Sequence, residues 1–500
     1  GLVGSEMCIR DRPSVLKAGH HVKLTLKLSD DLLLDVAKVE IKKETITSDI
    51  PMDWLPKPKV EAEGFENNIL SFAETETKTA ILNLNTASAL QDLKLKFTFG
   101  DPQFSSLNDK DYLLSVPADK AEMENVLGIV LPEIGVDKAS LDLTSIVAKL
   151  RTDAGTTVEN KIEVDVRANN RWSSEEIKGQ ENPSRVYTLR CNKPEMAVSV
   201  QPGNIWTKEF TIDELTVTTG DPEVIKSKLK YQYKEKSGGD DTWKDIQDMK
   251  VLFNEHPQNR SYQVRAVYRD VVMTDAIDVE LENPVQLPNS GMEEWHEEDQ
   301  SDHKNLWFPF SQDLSLQWIT NNLETTNYRG ESFCSASAVK RSENKYNGNY
   351  AALIRTIGHG VANTNVGSFL GMNGSITGTH TIGILSYSGD FQVRPTKVKF
   401  YYRYIPEGDD VGVIELKIEN EDQDVILYEA TNVVSKTEYQ LYEIPINYMV
   451  ENVVATKLTL TLKSGSKHTN VVKAKVRGNG ADEHYGSELY IDDISLVYDK

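Results

Sequence analysis

The sequence predicts a mostly β, multi-domain fold in which smaller β-sandwiches precede a larger C-terminal β-sandwich. Three segments alternate apolar and polar residues with a period of two: HVKLTLKL at 21–28, LKLKFTF at 93–99 and KIEVDV at 161–166. Such alternation is typical of strands with one face in water. The chain has 500 residues, which is long for one domain and indicates about three.

Residues 1–12, GLVGSEMCIRDR, are interpreted as an artefact rather than as protein. The run MCIRDR back-translates codon by codon into a transposase sequencing adapter, and a natural polar tail is the alternative. We therefore expect these residues to pack against nothing. The gene is expected to be truncated on its 5′ side, so a missing signal peptide says nothing about export.

Residues 13–190 are predicted to form an Ig-like β region of one or two domains with a short helical insert. Pro117 favours the start of a helix over residues 118–127, and Gly128 favours its end. A second short helical turn is predicted within residues 142–150, before the strand that begins near residue 161.

Residues 191–283 follow the order of strand, turn, tryptophan and strand. The segments are LKYQYK at 229–234, the pair Gly238 and Gly239, Trp243, and YQVRAVY at 262–268. This order resembles Ig-like domains of the fibronectin type III class, which implies a spacer module. Trp243 is predicted to lie in the core, because large aromatic residues dominate such cores.

After Pro284 and Pro288, which predict a linker, residues 284–500 carry an ordered set of motifs. LPNSGMEEW at 287–295 opens the region and SELYIDDISLVY at 487–498 closes it, and both are expected to be strands of one sandwich. Between them lie Trp318 with Thr320 and Asn321, GNYAALIRT at 348–356, GMNGSITG at 371–378 and RPTKVKFYYRY at 394–404.

This set resembles the carbohydrate metabolism domain of Bacteroidetes cell-surface proteins and, more distantly, jelly-roll carbohydrate-binding modules. The resemblance implies a jelly-roll β-sandwich that binds a polysaccharide or other glycan. It also implies an extracellular or outer-membrane-anchored protein, with a lipoprotein signal lost from the truncated end.

Composition excludes several other classes. The net charge of −22 repels phosphate backbones and anionic lipids, so nucleic acid is not an expected partner. No apolar run is long enough for a membrane helix. Without Cys8, the remaining Cys191 and Cys334 are too few and too far apart for a disulfide framework or a zinc motif.

Two carboxylates bracket the C-terminal domain. Alternation along the closing strand places Asp492 in one row with Tyr490 and Ile494, a row predicted to face the core. A buried carboxylate is costly unless it is paired or bound to a cation. The resemblance implies that Glu293 and Asp492 hold a structural calcium, which prefers oxygen ligands. The alternative is that Asp492 accepts hydrogen bonds from a neighbouring loop.

A sugar site needs exposed aromatic faces with hydrogen-bonding groups beside them. Along residues 397–404, one row is Val398, Phe400, Tyr402 and Tyr404, and the other is Lys399, Tyr401 and Arg403. The second, mixed row is predicted to face the ligand, with Trp307, Trp318 and Tyr387 reaching the same face. The alternative is that these aromatic residues belong to the core.

Catalysis has little support in the sequence. Nucleophile-elbow, phosphate-loop and His-Glu-x-x-His motifs are absent. Glycoside hydrolysis needs two carboxylates at a fixed separation, whereas the acidic residues Glu293, Glu294, Glu297, Glu298 and Asp299 are crowded in one segment. We predict a non-catalytic carbohydrate-binding domain on Ig-like spacers. A structural or adhesive protein with protein or fibre partners is the second hypothesis, and a glycoside hydrolase-like enzyme the third.

Overall fold

The computed structural model describes the strands His20–Leu28 and Leu34–Lys43 and most of the chain beyond residue 56. The described ranges are 57–86, 88–176, 182–300, 303–311, 318–326, 336–361, 377–448, 453–466, 473–475 and 483–500. The predicted adapter, Cys8, Cys334 and most of the motif at 371–378 lie outside them. The chain divides into two compact units, one ending at Asn192 and the other comprising Lys193–Lys500 with the short segments Ala73–Glu76 and Ala154–Thr156.

Strands dominate the first unit, as the sequence predicts. They are β1 (His20–Leu28), β2 (Leu34–Lys43), β3 (Lys59–Glu63), β4 (Ile69–Ala73), β5 (Ile81–Asn85), β6 (Asp92–Thr98), β7 (Asp111–Leu113), β8 (Ala139–Asp142), β9 (Val158–Ala168), β10 (Arg171–Trp172) and β11 (Val186–Asn192). β1 pairs with β2, one sheet has the order β3-β5-β8, and another has the order β4-β11-β9-β6-β7 with β10 on β9. In β6, Leu93, Leu95 and Phe97 are buried while the lysines between them are half-buried. The predicted one-sided strand is therefore confirmed.

Both predicted helical turns of the first unit are present. α1 (Pro117–Glu122) continues as a π-helical turn, Met123–Leu127, and ends at Gly128. Gly128 has a φ of 70°, and its N–H donates to the carbonyl of Glu124, which is the left-handed helix end that glycine favours. α2 (Thr144–Val147) is the second turn.

The second unit begins with a small sandwich around a core that extends from Val198 to Leu281. Its elements are β12 (Met196–Ala197), β13 (Glu209–Thr211), β14 (Thr216–Val217), α3 (Pro222–Lys226), β15 (Leu229–Glu235), β16 (Lys244–Ile246), β17 (Lys250–Leu252), β18 (Ser261–Tyr268), β19 (Val272–Met273) and β20 (Ile277–Glu280). The main sheet has the order β16-β15-β18-β19, with β20 also on β18. β15 and β18 confirm the strands predicted on either side of Trp243.

Trp243 itself is not a core residue, and that prediction is wrong. The side chain is half-buried. Its ring centroid lies 4.1 Å from the guanidinium carbon of Arg265 and 5.1 Å from Nζ of Lys234. Both cations project from the outward rows of β15 and β18, so the tryptophan covers the outside of the sheet through cation–π contacts and apolar side-chain stems.

The remaining strands form a two-sheet antiparallel sandwich. They are β21 (His296–Gln300), β22 (His303–Phe308), β23 (Trp318–Thr320), β24 (Val339–Ser342), β25 (Ala351–Val361), β26 (Thr377–Thr381), β27 (Ile384–Asp390), β28 (Lys397–Ile405), β29 (Gly412–Glu419), β30 (Val425–Val433), β31 (Lys436–Pro445), β32 (Lys457–Lys463), β33 (Lys473–Lys475) and β34 (Glu483–Val497), with α4 (Asn322–Thr325). One sheet has the order β23-β27-β32-β29-β30. The other has the order β24-β25-β34-β28-β31, with β26 on β25 and β33 on β34, while β21 pairs with β22.

The opening motif of the sandwich is a turn, not the strand that the sequence predicts. The side chain of Asn289, whose φ is 48°, accepts the N–H of Glu293 at 2.9 Å. The Pro-Asn-Ser-Gly sequence explains this, because all four residue types favour turns. The expected proximity of the two bracketing motifs is confirmed, since the N–H of Ile494 donates to the carbonyl of Ser290 at 2.9 Å.

Arg394 joins the small sandwich to the larger one. Its side chain is 2% exposed, and Nε donates to Oε1 of Glu282 at 2.8 Å. Nη1 donates to the carbonyls of Gly203 at 2.6 Å and Val453 at 3.2 Å. The guanidinium carbon also lies 3.7 Å from the ring centroid of Trp206. The predicted boundary at residues 283 and 284 stays a prediction, but the two sandwiches meet through this buried ion pair.

No helix among the described residues is both long and apolar enough to cross a membrane. Cys191 is buried and is not in a disulfide. Its Sγ lies 3.7 Å from the carbonyl oxygen of Leu150, within the core of the first unit.

Candidate functional site

The two rows of β28 are arranged as the sequence predicts. The buried row is Val398, Phe400, Tyr402 and Tyr404. Lys399, Tyr401 and Arg403 are half-buried on the outward face of the sheet. Tyr401 pairs with Asp492 of β34, and Arg403 pairs with Tyr490. The mixed row therefore lies beside Tyr490 and Asp492 of the closing motif.

A second tyrosine lies flat on this row. The ring of Tyr346 stacks on Tyr401 with centroids 3.5 Å apart and planes 10° apart. Tyr346 is 47% exposed. The ring of Tyr439, on β31, lies 6.2 Å from Tyr346, and its hydroxyl donates to the carbonyl of Asn344 at 2.7 Å. We call Tyr346, Tyr401, Tyr439 and Tyr490, together with Arg403, the tyrosine surface.

Burial raises the pKa of two tyrosines of this surface, Tyr439 and Tyr490. Burial is the main cause that raises the pKa of Tyr490 to about 12, and the nearby charge of Glu488 adds to it. Burial also raises the pKa of Tyr439, and the charge of Asp492 acts in the same direction. The hydroxyl of Tyr490 donates to the carboxylate of Glu488 at 3.1 Å. Both tyrosines are neutral hydrogen-bonding groups at neutral pH, as tyrosines with an ordinary pKa also are, and burial extends that state to higher pH.

Lys399 lies on the same face but is paired. Its Nζ is 2.7 Å from Oε1 of Glu443 on β31. This hydrogen bond raises the pKa of the Lys399 ammonium and lowers the pKa of Glu443. A ligand would therefore have to compete with Glu443 for this lysine.

The two bracketing carboxylates fix the segment that carries Tyr346, residues 346–350, which we call the anchored loop. Oδ2 of Asp492 accepts the N–H of Tyr346 at 2.7 Å and of Asn347 at 3.0 Å. Oε1 of Glu293 accepts the N–H of Asn349 at 2.8 Å. Sequence reasoning named both carboxylates but not the loop that they hold.

Asp492 lies on the outward face, so its predicted place in a core row is wrong. Asp493 adopts a φ of 46°, and the pairing of β34 with β28 shifts register between Lys399 and Tyr401. This β-bulge reverses the alternation, so Ile491 and Ile494 both face the core. The anchored loop then buries Asp492, which raises its pKa, and the N–H donors of Asn347 and Tyr346 oppose that rise.

The residues predicted to hold calcium do not fit a cation site. Each carboxylate receives backbone N–H groups, because Oδ1 of Asp492 also accepts the N–H of Asp493 at 2.8 Å and Glu293 accepts that of Tyr350 at 3.3 Å. A cation would face those N–H dipoles at the same lone pairs. Within the described ranges, no group of three or more His, Cys, Asp and Glu residues could hold a metal. The contacts match the alternative in which a loop donates to Asp492.

Trp307 lies on the hairpin of β21 and β22 and is half-buried. The guanidinium carbon of Arg341 lies 4.8 Å from the Trp307 ring centroid and 4.7 Å from that of Tyr350. Because Tyr350 belongs to the anchored loop, Trp307 is connected to the tyrosine surface through Arg341 and that loop.

Trp318 and Tyr387 do not reach this face, and the prediction that they do is wrong. They are direct partners across β23 and β27 of the other sheet. They are 2% and 3% exposed, and their ring centroids are 5.5 Å apart. Nε1 of Trp318 donates to the carbonyl of Pro288 at 2.7 Å. Both aromatic residues belong to the core, which is the alternative that the sequence left open.

Sequence reasoning missed three members of the surface. Uninterrupted alternation assigns Tyr490 to a core row, and that assignment fails because the strand carries a bulge. Tyr439 lies in an edge strand whose residues are mostly exposed, so its alternation gives no sign of a site. Tyr346 lies in a loop, where no periodicity could have assigned it to a face.

No family model matches the chain, and neither does any curated protein. Similar solved structures include TmCBM61 in complex with beta-1,4-galactotriose, at 13% identity over 36% of this chain and 88% of that one, with a TM-score of 0.20. The family 11 carbohydrate-binding module of the Clostridium thermocellum cellulase Lic26A-Cel5E matches at 8% identity. The match covers 37% of this chain and 91% of that one, with a TM-score of 0.19. The CBM22-1 xylan-binding domain of Paenibacillus barcinonensis Xyn10C matches at 10% identity. The match covers 37% of this chain and 86% of that one, with a TM-score of 0.20. Similarity at this level does not define a function.

Proposed function

We propose that the C-terminal sandwich binds a glycan through the tyrosine surface. The observation that carries this proposal is the stack of Tyr346 on Tyr401, with Tyr346 47% exposed. Sugar rings present C–H groups that pack against aromatic faces, and neighbouring polar groups then fix their orientation. Arg403 and the neutral hydroxyls of Tyr439 and Tyr490 are the polar groups beside the stack.

The proposed role is binding without catalysis. Glycoside hydrolysis needs a general acid and a second carboxylate on opposite sides of the sugar. Asp492 and Glu293 already accept backbone N–H groups of the anchored loop, and Glu443 is paired with Lys399. These carboxylates support the platform rather than a reaction.

We also propose that the protein is exported and displays this domain at the cell surface. The support is the motif resemblance to Bacteroidetes surface proteins and the acidic net charge of −22, which favours solubility. Protease treatment of intact cells that produce the protein tests this, because a displayed C-terminal sandwich should be degraded while a cytoplasmic control protein survives. Protection of the sandwich until the cells are lysed would contradict the proposal.

Affinity electrophoresis of the full chain against a panel of soluble polysaccharides tests glycan binding, followed by titration calorimetry on any retained polymer. We expect Tyr346→Ala to weaken binding about tenfold or more, as loss of an aromatic anchor does. The matched control is Tyr428→Ala, which removes a 51% exposed tyrosine from β30 of the other sheet. Retention by no polysaccharide, or equal losses in both variants, would refute the proposal.

A protein or fibre partner is the second candidate, and two edge strands favour it. β30 and β31 are the outermost described strands of their sheets on this side of the sandwich. Tyr428, Val434 and Leu441 on or between them are 51%, 54% and 47% exposed, and free edges can pair with other chains. Sedimentation of the full chain should then show assembly that Leu441→Lys abolishes. A monomer at every concentration that still retains glycan would reject this candidate.

A further inference from the structure

Arg403 is a cation of the tyrosine surface that has no ion-pair partner among the residues that the structure describes. Its guanidinium carbon lies 5.1 Å from the ring centroid of Tyr490. Its Nε is buried and has no hydrogen-bond partner among the described residues. Within the described part of the chain, neither a carboxylate nor a carbonyl lies at bonding distance from its guanidinium. Buried donors are nearly always satisfied, so an orphaned one in a folded protein calls for an explanation.

The two lysines in the same row of β28 are already paired. Nζ of Lys399 is 2.7 Å from Glu443, and Nζ of Lys397 is 3.7 Å from Asp499. Asp492, which pairs across the strands with Tyr401, accepts backbone N–H groups. Among the cations in this row of β28, Arg403 is therefore the one that has no carboxylate partner in the described part of the chain.

We propose that the tyrosine surface selects a glycan that carries an anionic group, a carboxylate or a sulfate ester, and that Arg403 binds that group. The inference rests on the proposed glycan binding and names its substrate class. Guanidinium is suited to this role because its planar donors bind carboxylate and sulfate oxygens in pairs.

The spacing of the surface agrees with this assignment. Tyr401 and Arg403 are two residues apart on one face of β28, which corresponds to about 7 Å along a strand. A sugar ring stacked on the aromatic platform can therefore extend a charged substituent over Arg403. The Tyr490 ring beneath the guanidinium holds it in place through a cation–π contact, so the donor is fixed before the ligand arrives.

Matched polysaccharide pairs test the assignment on the full chain by titration calorimetry. Polygalacturonate is compared with its fully methyl-esterified form, which keeps the backbone and removes the charge, and dextran sulfate is compared with dextran. We expect at least one anionic member to bind about tenfold more tightly than its neutral partner. Arg403→Gln should abolish that preference, whereas Arg403→Lys should retain part of it. Lys463→Gln, which removes an ion pair with Glu415 on the other sheet, should leave it unchanged.

The outcomes separate the two proposals. Equal binding of the charged and neutral members overturns the role of Arg403 but leaves glycan binding in place. An anionic preference that persists in Arg403→Gln, with an unchanged melting temperature, also overturns it. Binding of none of the four polymers would count against glycan binding itself. The pair that shows the preference identifies the anion as carboxylate or sulfate.

Discussion

Two separate observations explain why a glycine, Gly348, occupies the centre of the anchored loop. Its φ of 63° belongs to the left-handed region that residues with a Cβ rarely adopt. A Cβ at this position would also collide with Oε1 of Glu293. Because Glu293 and Asp492 hold the loop through its N–H groups, this glycine lets the backbone approach the carboxylate and so places Tyr346 on Tyr401.

We expect Gly348→Ala to destabilise the fold and to weaken glycan binding, since either the loop or the Glu293 carboxylate must move and the hydrogen bonds between them are then disturbed. The matched control is Gly408→Ala, because Gly408 has a similar φ of 66° but would have no atom within 4 Å of an added Cβ. That control should show only the backbone strain, about 1–2 kcal/mol, in urea unfolding. If both variants lose the same stability and binding, the contact with Glu293 does not position the loop.

At the scale of elements, β28 and β34 separate the core of the sandwich from the outward face that carries the tyrosine surface. The rows of β28 alternate without interruption, so Tyr402 is 3% exposed and Tyr401 is half-buried. β34 changes its alternation at Asp493 through a bulge. The bulge brings Asp492 outward beside Tyr401 while Ile494 returns to the core. One extra residue in a central strand therefore creates the attachment point for the anchored loop.

The alternation predicts that substituting two neighbouring tyrosines by alanine changes the free energy of unfolding by very different amounts. Tyr402→Ala should lower the free energy of unfolding by about 3–5 kcal/mol, because it leaves a cavity in the core. Tyr401→Ala removes the stack with Tyr346 and should cost about 1 kcal/mol, yet it should reduce glycan binding. Urea unfolding and calorimetry measure both effects. A loss of several kcal/mol in Tyr401→Ala would mean that this ring is structural and that the site lies elsewhere.

At the scale of the whole molecule, the two sandwiches of the second unit are joined by direct contacts. Arg394 of the larger sandwich forms a buried pair with Glu282 and donates to Gly203 of the smaller one. Burial raises the pKa of Glu282, and the charge of Arg394 opposes that rise. Gln286, in the predicted linker, also exchanges two hydrogen bonds with the backbone of Leu496, at 2.7 and 2.8 Å. The linker is thus packed against the sandwich that it precedes.

We expect Arg394→Ala to lower the free energy of unfolding by about 3–5 kcal/mol, because Glu282 would stay buried without its partner. Scanning calorimetry should then resolve the small sandwich as a separate, earlier transition. The control is Lys236→Ala, which removes an exposed ion pair with Asp278 and should change little. If Arg394→Ala unfolds with the same transitions as the unmodified protein, the two sandwiches are not coupled through this residue.

Local features of the sequence determined the strands and the short helices. Period-two alternation predicted β6, β9 and the two rows of β28, and Pro117 with Gly128 predicted the ends of the helical segment. These features depend on backbone geometry over a few residues, which composition and spacing express directly. Alternation also predicted the outward direction of Tyr401 and Arg403, because both lie in a strand without a bulge.

Only the tertiary structure decided which outward residues lie together in the tyrosine surface. The stack of Tyr346 on Tyr401 joins residues 55 positions apart, and the bond from Tyr346 to Asp492 joins residues 146 apart. The burial of Trp318 and Tyr387 likewise depends on the opposite sheet. Alternation assigns a side chain to one of two faces, but it does not say which face a distant loop covers. That choice follows from packing between segments that the sequence does not place side by side.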